Sequence, residues 1–136
     1  MSVDRPIYLT REDLLALVED NLPPSVTLRD PGQLHTAVLR PQASAFREDA
    51  YPDLWEKAAA LMQSVLIGHP LSDGNKRLAW LSAKAFLRYN RQSFPPVDTA
   101  AAYDLVIAVT TGALEDIPAV ADRLRELAET GRQLRE

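Results

Sequence analysis

The amino-acid sequence predicts an all-α fold, a compact bundle of about six helices. In six stretches the apolar residues recur every three or four positions, which is the spacing of one helix face. No stretch alternates apolar and polar residues convincingly over several positions, as a half-buried strand would. The ten prolines fall mainly between the apolar stretches, where they separate one element from the next.

The first two helices have recognisable start and stop residues. Thr10 is predicted to cap the first helix, because its hydroxyl can accept from a free amide of the first turn, and the Pro23–Pro24 pair ends that helix. Asp30 is predicted to cap the second helix, with Pro31 at its first position, where the missing N–H costs nothing. Pro41 is predicted to stop it.

The remaining elements follow from the apolar spacing. The stretch Pro41–Pro52 is polar and irregular and is predicted to be a loop or a hairpin. An amphipathic helix is predicted over Asp53–Gly68. The next helix, Asn75–Asn90, is apolar nearly all round and is predicted to be the buried central helix. Two further helices are predicted around Thr99–Thr111 and Pro118–Thr130.

Composition limits the function classes. A chain of 136 residues that is 46% hydrophobic and 25% charged suits a single domain, expected over residues 1–136. The formal charge of −4 disfavours direct binding of nucleic acid. No run is long and apolar enough for a signal peptide or a membrane span, and the chain has no cysteine, so we expect a soluble cytoplasmic protein.

The segment "HPLSDGNKR", His69 to Arg77, joins the third predicted helix to the fourth. Gly74 permits a sharp turn or a close backbone approach, and the helix after it begins with free N–H groups at the positive end of its dipole. Lys76 and Arg77 add two positive charges to the same turn. Phosphate is the ligand that this arrangement favours.

The other two chemical groups of the segment suit phosphoryl or nucleotidyl transfer. The Asp73 carboxylate would repel a phosphate directly, but it can serve as a magnesium ligand, since Mg²⁺ takes carboxylate and phosphate oxygens together. The His69 imidazole can be neutral at cellular pH and take a proton from an attacking hydroxyl.

Each of these residues, taken alone, has a simpler structural explanation. His69 could cap the preceding helix, Asp73 could be the N-cap of the following one, and the cations could form a solvated turn. The functional interpretation is preferred because all the groups occur together at one helix entrance. A DNA-binding helix-turn-helix is a weak alternative because of the acidic balance, and His35 is given no role.

The segment resembles the signature of the Fic/Doc family, which in the Doc branch runs His-x-Phe-x-Asp-Ala/Gly-Asn-Lys-Arg. The upstream stretch "DPGQLHTAVLRPQ", the helix "YPDLWEKAAAL" and the later "AKAFLRYN" also look like the Doc-type layout. The resemblance extends from about Tyr8 to Leu127. It implies a small helical toxin of a bacterial toxin–antitoxin pair.

The resemblance further implies a protein kinase that transfers phosphate from ATP, with Mg²⁺, to a hydroxyl of elongation factor Tu and so stops translation. The loop from Pro41 to Tyr51 falls where the family places a flap, which aligns the target segment as an added strand. The implied catalytic residues are His69 as base, Asp73 as magnesium ligand, and Arg77, and the implied nucleotide-binding residues are Gly74, Asn75, Lys76 and Arg77.

Three details refine this expectation. AMP-transferring Fic members have glycine after the motif asparagine, whereas Lys76 here would fill part of that groove, so a kinase is preferred over an AMP transferase. Leu71 replaces the family phenylalanine, a change expected to cost little stability.

No glutamate is followed by glycine or asparagine, so the chain lacks the family's inhibitory motif. A separate, partly disordered antitoxin is therefore expected to restrain it. A catalytically inactive antitoxin-binding module is the remaining alternative.

Overall fold

The computed structural model describes the backbone of residues 5–135 and the side chains of residues 5–133. Within this part of the chain the fold is all-α, as predicted, with six helices and one small hairpin. The helices are α1 (Arg11–Asn21), α2 (Pro31–Leu39), α3 (Leu54–Gly68), α4 (Asn75–Tyr89), α5 (Thr99–Thr110) and α6 (Ile117–Arg135), and the strands are β1 (Ser44–Ala45) and β2 (Glu48–Asp49).

The predicted N-caps of the first two helices are confirmed. The Thr10 hydroxyl accepts from the amide of Asp13, whose carboxylate accepts in return from the Thr10 amide, so two free donors are satisfied at once. Asp30 caps α2 through the Gln33 amide, with Pro31 at the first helical position. The side-chain caps therefore determine where α1 and α2 begin.

The buried central helix is α3 rather than the predicted α4. Eleven of the fifteen residues of α3 are buried, and this helix packs against α2, α4, α5 and α6. Helix α4 buries one face only, with Phe86 fully enclosed, while Trp80 is partly accessible and Tyr89 is 50% exposed. Of the apolar residues outside the buried face of α4, Trp80 lines an open groove between α4 and α5.

The predicted end of the second helix before Pro41 is confirmed, since α2 ends at Leu39; a single 3-10 turn, Arg40–Gln42, follows it, and Pro41 removes no needed donor there. The predicted end of the last helix is wrong. Helix α6 continues past Thr130 to Arg135, with Gly131 buried where a Cβ would lie 2.8 Å from the Pro96 carbonyl oxygen.

The flap, residues 43–50, is a two-stranded antiparallel hairpin with Ser44 opposite Asp49 and Ala45 opposite Glu48. Its tip residues, Phe46 and Arg47, both have positive φ values, 54° and 68°, as a tight two-residue hairpin turn requires. No helix in the described residues is long and apolar enough to cross a lipid bilayer.

Candidate active site

The loop between α3 and α4, residues 69–74, lies against the segment that leads into α2. The amides of Arg29 and Asp30 donate to the Pro70 carbonyl at 2.8 and 3.0 Å. The Ser72 amide donates to the Thr27 carbonyl at 2.9 Å, and the Ser72 hydroxyl accepts from the Thr27 amide at 2.9 Å. These hydrogen bonds fix the course of the loop against a segment that lies 40–45 residues earlier in the chain.

The Arg29 side chain strengthens this junction. Its guanidinium donates to the His69 carbonyl, through Nε at 3.0 Å and also through Nη2, and to the Gly68 carbonyl at 3.2 Å. These carbonyls end α3 and have no helical donor, so a cation satisfies both their hydrogen bonding and the negative end of the helix dipole. Sequence reasoning gave Arg29 no role, because nothing local to it indicates the contact.

Asn75 holds the other end of the loop. Its carboxamide oxygen accepts from the Leu71 amide at 2.9 Å, and its nitrogen donates to the Leu71 carbonyl at 3.1 Å. The Leu71 side chain is only 2% exposed and belongs to the core. The carboxamide predicted to bind phosphate is therefore engaged in clamping the loop onto the start of α4, and it leaves the Asn75 backbone N–H free.

His69 combines a capping role with an accessible side chain. Its backbone has the left-handed values φ 48° and ψ 57°, and its amide donates to the Val65 carbonyl at 3.1 Å, so it is the C-cap of α3. A non-glycine residue in this conformation is uncommon and stores strain. The ring is exposed, with Nδ1 3.4 Å from the Ile67 carbonyl oxygen. In the tautomer that donates from Nδ1 to this carbonyl, Nε2 is free to accept a proton.

Gly74 is the N-cap of α4, and two features of this position exclude a side chain. Its φ of 82° is in the left-handed region, and a Cβ at this position would lie 3.0 Å from Cδ1 of Leu22. Asp73 is exposed and accepts from the Gly74 amide through Oδ1 at 2.8 Å. The second oxygen of this carboxylate is available for a ligand.

The first turn of α4 is strongly electropositive. The first amide bonded within the helix is that of Leu78, which donates to the Gly74 carbonyl, so the amides of residues 75–77 have no intrahelical acceptor. Lys76 and Arg77 are exposed on this turn, which contains no acidic residue. Free amides, the helix dipole and two cations converge here, and together they favour an anion such as phosphate.

One open cavity of about 380 Å³ collects every predicted site residue. Those residues are His69, Asp73, Gly74, Asn75, Lys76 and Arg77. Leu66 of α3, Ser72 and Thr110 of α5 complete the wall. The Thr110 hydroxyl is buried and has no hydrogen-bond partner within the described residues. A buried hydroxyl without a partner lowers the stability of the fold unless a polar ligand forms a hydrogen bond with it.

The cavity contents match the requirements of phosphoryl or nucleotidyl transfer. It holds an imidazole that can accept a proton, a carboxylate with one free oxygen, and a preformed anion site at a helix start. Within the described residues, no group of three or more acidic, histidine or cysteine side chains is arranged to hold a metal by itself. A cation here would depend on Asp73 and on a ligand that supplies further oxygens, which is the usual manner of Mg²⁺.

A model of the Fic/DOC family matches residues 8–87, a range that includes the whole motif loop and the first turn of α4. The chain belongs to the Fic/DOC family. It is 43% identical over 127 residues to "Toxin Doc" of Mycolicibacterium smegmatis, which covers 91% of this chain and 98% of that protein. It is 33% identical over 125 residues to "Protein kinase doc" of Escherichia phage P1, with 88% and 94% covered.

The family model and both relatives confirm the resemblance drawn from the motif. The two relatives match 91% and 88% of this chain. The Fic/DOC match ends inside α4, so it does not include Thr110 or the remainder of α5.

Proposed function

We propose that this Fic/DOC protein is the toxin of a bacterial toxin–antitoxin pair and acts as a protein kinase, phosphorylating a serine or threonine hydroxyl of a translation factor, elongation factor Tu, with ATP as donor. The observation that carries the proposal is the convergence of His69 and Asp73 on the electropositive first turn of α4. The names of the two relatives, a Doc toxin and a Doc protein kinase, support the same assignment.

In the proposed reaction His69 is the general base. Its Nε2 takes the proton of the target hydroxyl as the oxygen forms a bond to the γ-phosphorus, and the bond from that phosphorus to the β,γ-bridging oxygen breaks to release ADP. The exposed ring can then return its proton to solvent. In the tautomer that donates from Nδ1 to the Ile67 carbonyl, Nε2 is the accepting atom.

The phosphates would be bound by the first turn of α4. The free amides of residues 75–77 and the Lys76 and Arg77 side chains offset the negative charge on the polyphosphate. Gly74 allows the backbone to approach closely, and the Thr110 hydroxyl of α5 offers one further donor. Asn75 acts indirectly, by holding the loop through Leu71.

Mg²⁺ fits this donor set as a cation brought in with the nucleotide, with Asp73 as its protein ligand. When bound, it would neutralise charge that develops on the phosphate oxygens. The Asp73 carboxylate is suitable because one oxygen is oriented by the Gly74 amide and the other is free.

Lys76 favours phosphoryl transfer over AMP transfer. Its side chain is exposed and lines the cavity at the position where AMP-transferring family members are expected to have glycine. A long cation there narrows the backbone groove and favours a different course for the polyphosphate. AMP transfer is the second candidate, and the labelling experiment below separates the two.

The flap is proposed to align the target protein by strand addition. Its base is fixed to the core, because the buried Lys57 donates to Asp49 at 3.0 Å and to the Tyr51 carbonyl. Arg40 donates to the Tyr51 hydroxyl at 3.0 Å and lies over its ring. A short hairpin held in this way presents free backbone groups to an extended segment.

A cognate antitoxin is proposed to restrain the toxin, as a separate, partly disordered protein that folds onto it. The chain itself contains no glutamate followed by glycine or asparagine, so an inhibitory helix with the family's motif is absent from the sequence. Folding on binding is costly in ordering entropy but allows one short chain to cover a large surface.

We also propose that the pair acts in the cytoplasm, where ATP and elongation factor Tu are found.

The test is a transfer assay with purified elongation factor Tu, Mg²⁺ and ATP labelled at either the γ or the α phosphate. A kinase transfers label from the γ position only, and His69→Ala reduces the rate by at least about 100-fold. Label from the α position would assign the chain to AMP transfer. Absence of transfer from either position, with the protein folded, would favour an inactive antitoxin-binding module.

A further inference from the structure

Arg29 donates hydrogen bonds to three consecutive carbonyls, at the point where α3 ends and the motif loop begins. Its guanidinium donates to the Gly68 carbonyl at 3.2 Å and to the His69 carbonyl through both Nε and Nη2. Its backbone amide donates to the Pro70 carbonyl at 2.8 Å. Arg29 therefore binds the backbone immediately before the proposed base, at the base and immediately after it.

His69 requires this support because its backbone is strained. Its φ of 48° and ψ of 57° lie in the left-handed region, which is unfavourable for a residue that has a side chain. The residue before a proline, in addition, favours extended backbone. A strained conformation of this kind persists only where the surrounding contacts over-determine it.

The peptide group between His69 and Pro70 can be held by hydrogen bonding only through the His69 carbonyl oxygen, because proline has no N–H. Arg29 supplies the donors to that oxygen. The preceding peptide group is held through the His69 amide, which donates to the Val65 carbonyl at 3.1 Å. The ψ angle of His69 therefore depends on Arg29, and loss of the guanidinium would allow His69 to relax toward extended backbone.

The direction of the His69 imidazole depends on this backbone. The ring is exposed, and its contact from Nδ1 to the Ile67 carbonyl oxygen is long, at 3.4 Å. The contacts of the ring itself thus hold it weakly, whereas φ and ψ determine which side-chain rotamers are allowed. Arg29 is exposed and is not among the residues that line the cavity with His69 and Asp73. It can therefore set the position of the base without contacting a substrate in that cavity.

We propose that Arg29 is a positioning residue for His69, holding the backbone from which the imidazole reaches the target hydroxyl. The proposal rests on the proposed function, since it takes His69 as the general base. Displacement of a catalytic group by about 1 Å can lower a rate about 100-fold, so the effect of Arg29 is expected in kcat. Its hydrogen bonds are to residues 68–70 and not to the phosphate-binding turn of α4, so KM for ATP should be preserved.

Steady-state kinetics of the full chain with elongation factor Tu, Mg²⁺ and ATP test the proposal. Arg29→Met removes the guanidinium donors and should lower kcat about tenfold or more, with KM for ATP within about twofold of the wild type. Arg29→Lys should restore only part of the rate, because an ammonium lacks the planar fork that reaches two carbonyls. An unchanged kcat in Arg29→Met would overturn the proposal.

Arg88→Met is the matched control. Arg88 also donates through Nε and Nη2 to one carbonyl, that of Phe94, at 3.3 and 2.9 Å, but it lies in the last turn of α4 and does not line the cavity of His69. This variant loses comparable hydrogen bonds, and its kcat should stay within about twofold of the wild type. An equal fall of kcat in Arg29→Met and Arg88→Met would assign the effect to general loss of stability and overturn the proposal.

A double-mutant cycle separates action through His69 from action on the rest of the site. His69→Ala leaves no imidazole to position, so adding Arg29→Met to it should lower the remaining rate less than about twofold. A further fall of about tenfold in this background would overturn the positioning role.

A crystal structure of Arg29→Met gives a measurement that does not depend on activity. His69 should leave the left-handed region, and an unchanged backbone at residue 69 would overturn the proposal. If His69 moves but the wild type transfers no phosphate, the positioning of His69 stands and the kinase fails. If phosphate is transferred and neither kcat nor the His69 backbone responds to Arg29→Met, the kinase stands and the positioning role fails.

Discussion

The carboxamide of Asn75 forms two hydrogen bonds with the backbone of Leu71, one to its amide and one to its carbonyl. This pair ties the loop that contains His69 and Asp73 to the first residue of α4. The Leu71 side chain then anchors the same point in the core. The relative position of the proposed base and the anion site therefore depends on two groups that need not touch the substrate themselves.

Replacing Asn75 with Ala is expected to loosen the site and to lower stability by about 1–3 kcal/mol, because two partly buried backbone groups lose their partners. Urea denaturation measures the stability, and the transfer assay measures the activity, which should fall with it. The control is Asn21→Ala, which removes one side-chain bond, to the Leu17 carbonyl, at the end of α1. An Asn75→Ala protein as stable and as active as the Asn21→Ala control would refute the clamp.

Gly74→Ala is expected to destabilise the protein by about 1–3 kcal/mol, the usual cost of a non-glycine residue held in a sparsely populated backbone conformation. The new Cβ would also press on Leu22, at 3.0 Å. Gly32→Ala in α2 is the matched control, since its Cβ would lie 3.4 Å from the nearest atom, an ordinary contact. That control should be neutral or slightly stabilising. Equal thermal midpoints for the two variants would contradict the argument.

Leu71→Phe introduces the residue of the family signature into a core that is closed around leucine. Leu71 is 2% exposed, so the larger ring has little room, and a loss of about 1–3 kcal/mol is expected from overpacking. Thermal unfolding monitored by circular dichroism checks this. A variant that matches or exceeds the wild type in stability would show that the loop has space for the ring. The core would then not be adapted to leucine at this position.

Lys57→Met is expected to release the base of the flap. Lys57 is 1% exposed, and its ammonium is the donor to Asp49 and to the Tyr51 carbonyl. Hydrogen exchange should quicken at the Ala50 amide, which donates to the Ala43 carbonyl across the hairpin at 2.8 Å. Asp49→Asn keeps the lysine and one neutral acceptor, so its exchange should change less. Unaltered protection of the Ala50 amide from exchange in Lys57→Met would mean that the hairpin is stable without the Lys57 contacts.

The sequence was sufficient where the controlling chemistry is local. Thr10 and Asp30 were identified as caps because a cap acts on amides two or three residues away. The motif residues were found because all six lie within nine consecutive positions of the chain, His69 to Arg77. The prediction that α4 is buried on nearly all sides was wrong. An apolar pattern shows that a helix face avoids water, but it does not show whether that face packs in the core or lines an open groove.

The groups that complete the site come from distant parts of the chain and have no local signal. Arg29 reaches the end of α3 from before α2, and Thr110 reaches the cavity from the end of α5. Asn75 lines the cavity, but its engagement with Leu71 could be seen only once the loop geometry was known. Sequence adjacency thus predicted which residues lie together, and tertiary packing determines which of their groups remain free to bind a ligand.

The most direct test of the central claim, that His69 serves phosphoryl transfer at the start of α4, is mass spectrometry of proteins from cells that express the wild-type chain or His69→Ala. We expect a phosphorylated hydroxyl residue on elongation factor Tu with the wild type, and its absence with the variant at equal expression. An adenylylated residue in place of the phosphorylated one, or the same phosphorylation in both cultures, would contradict it.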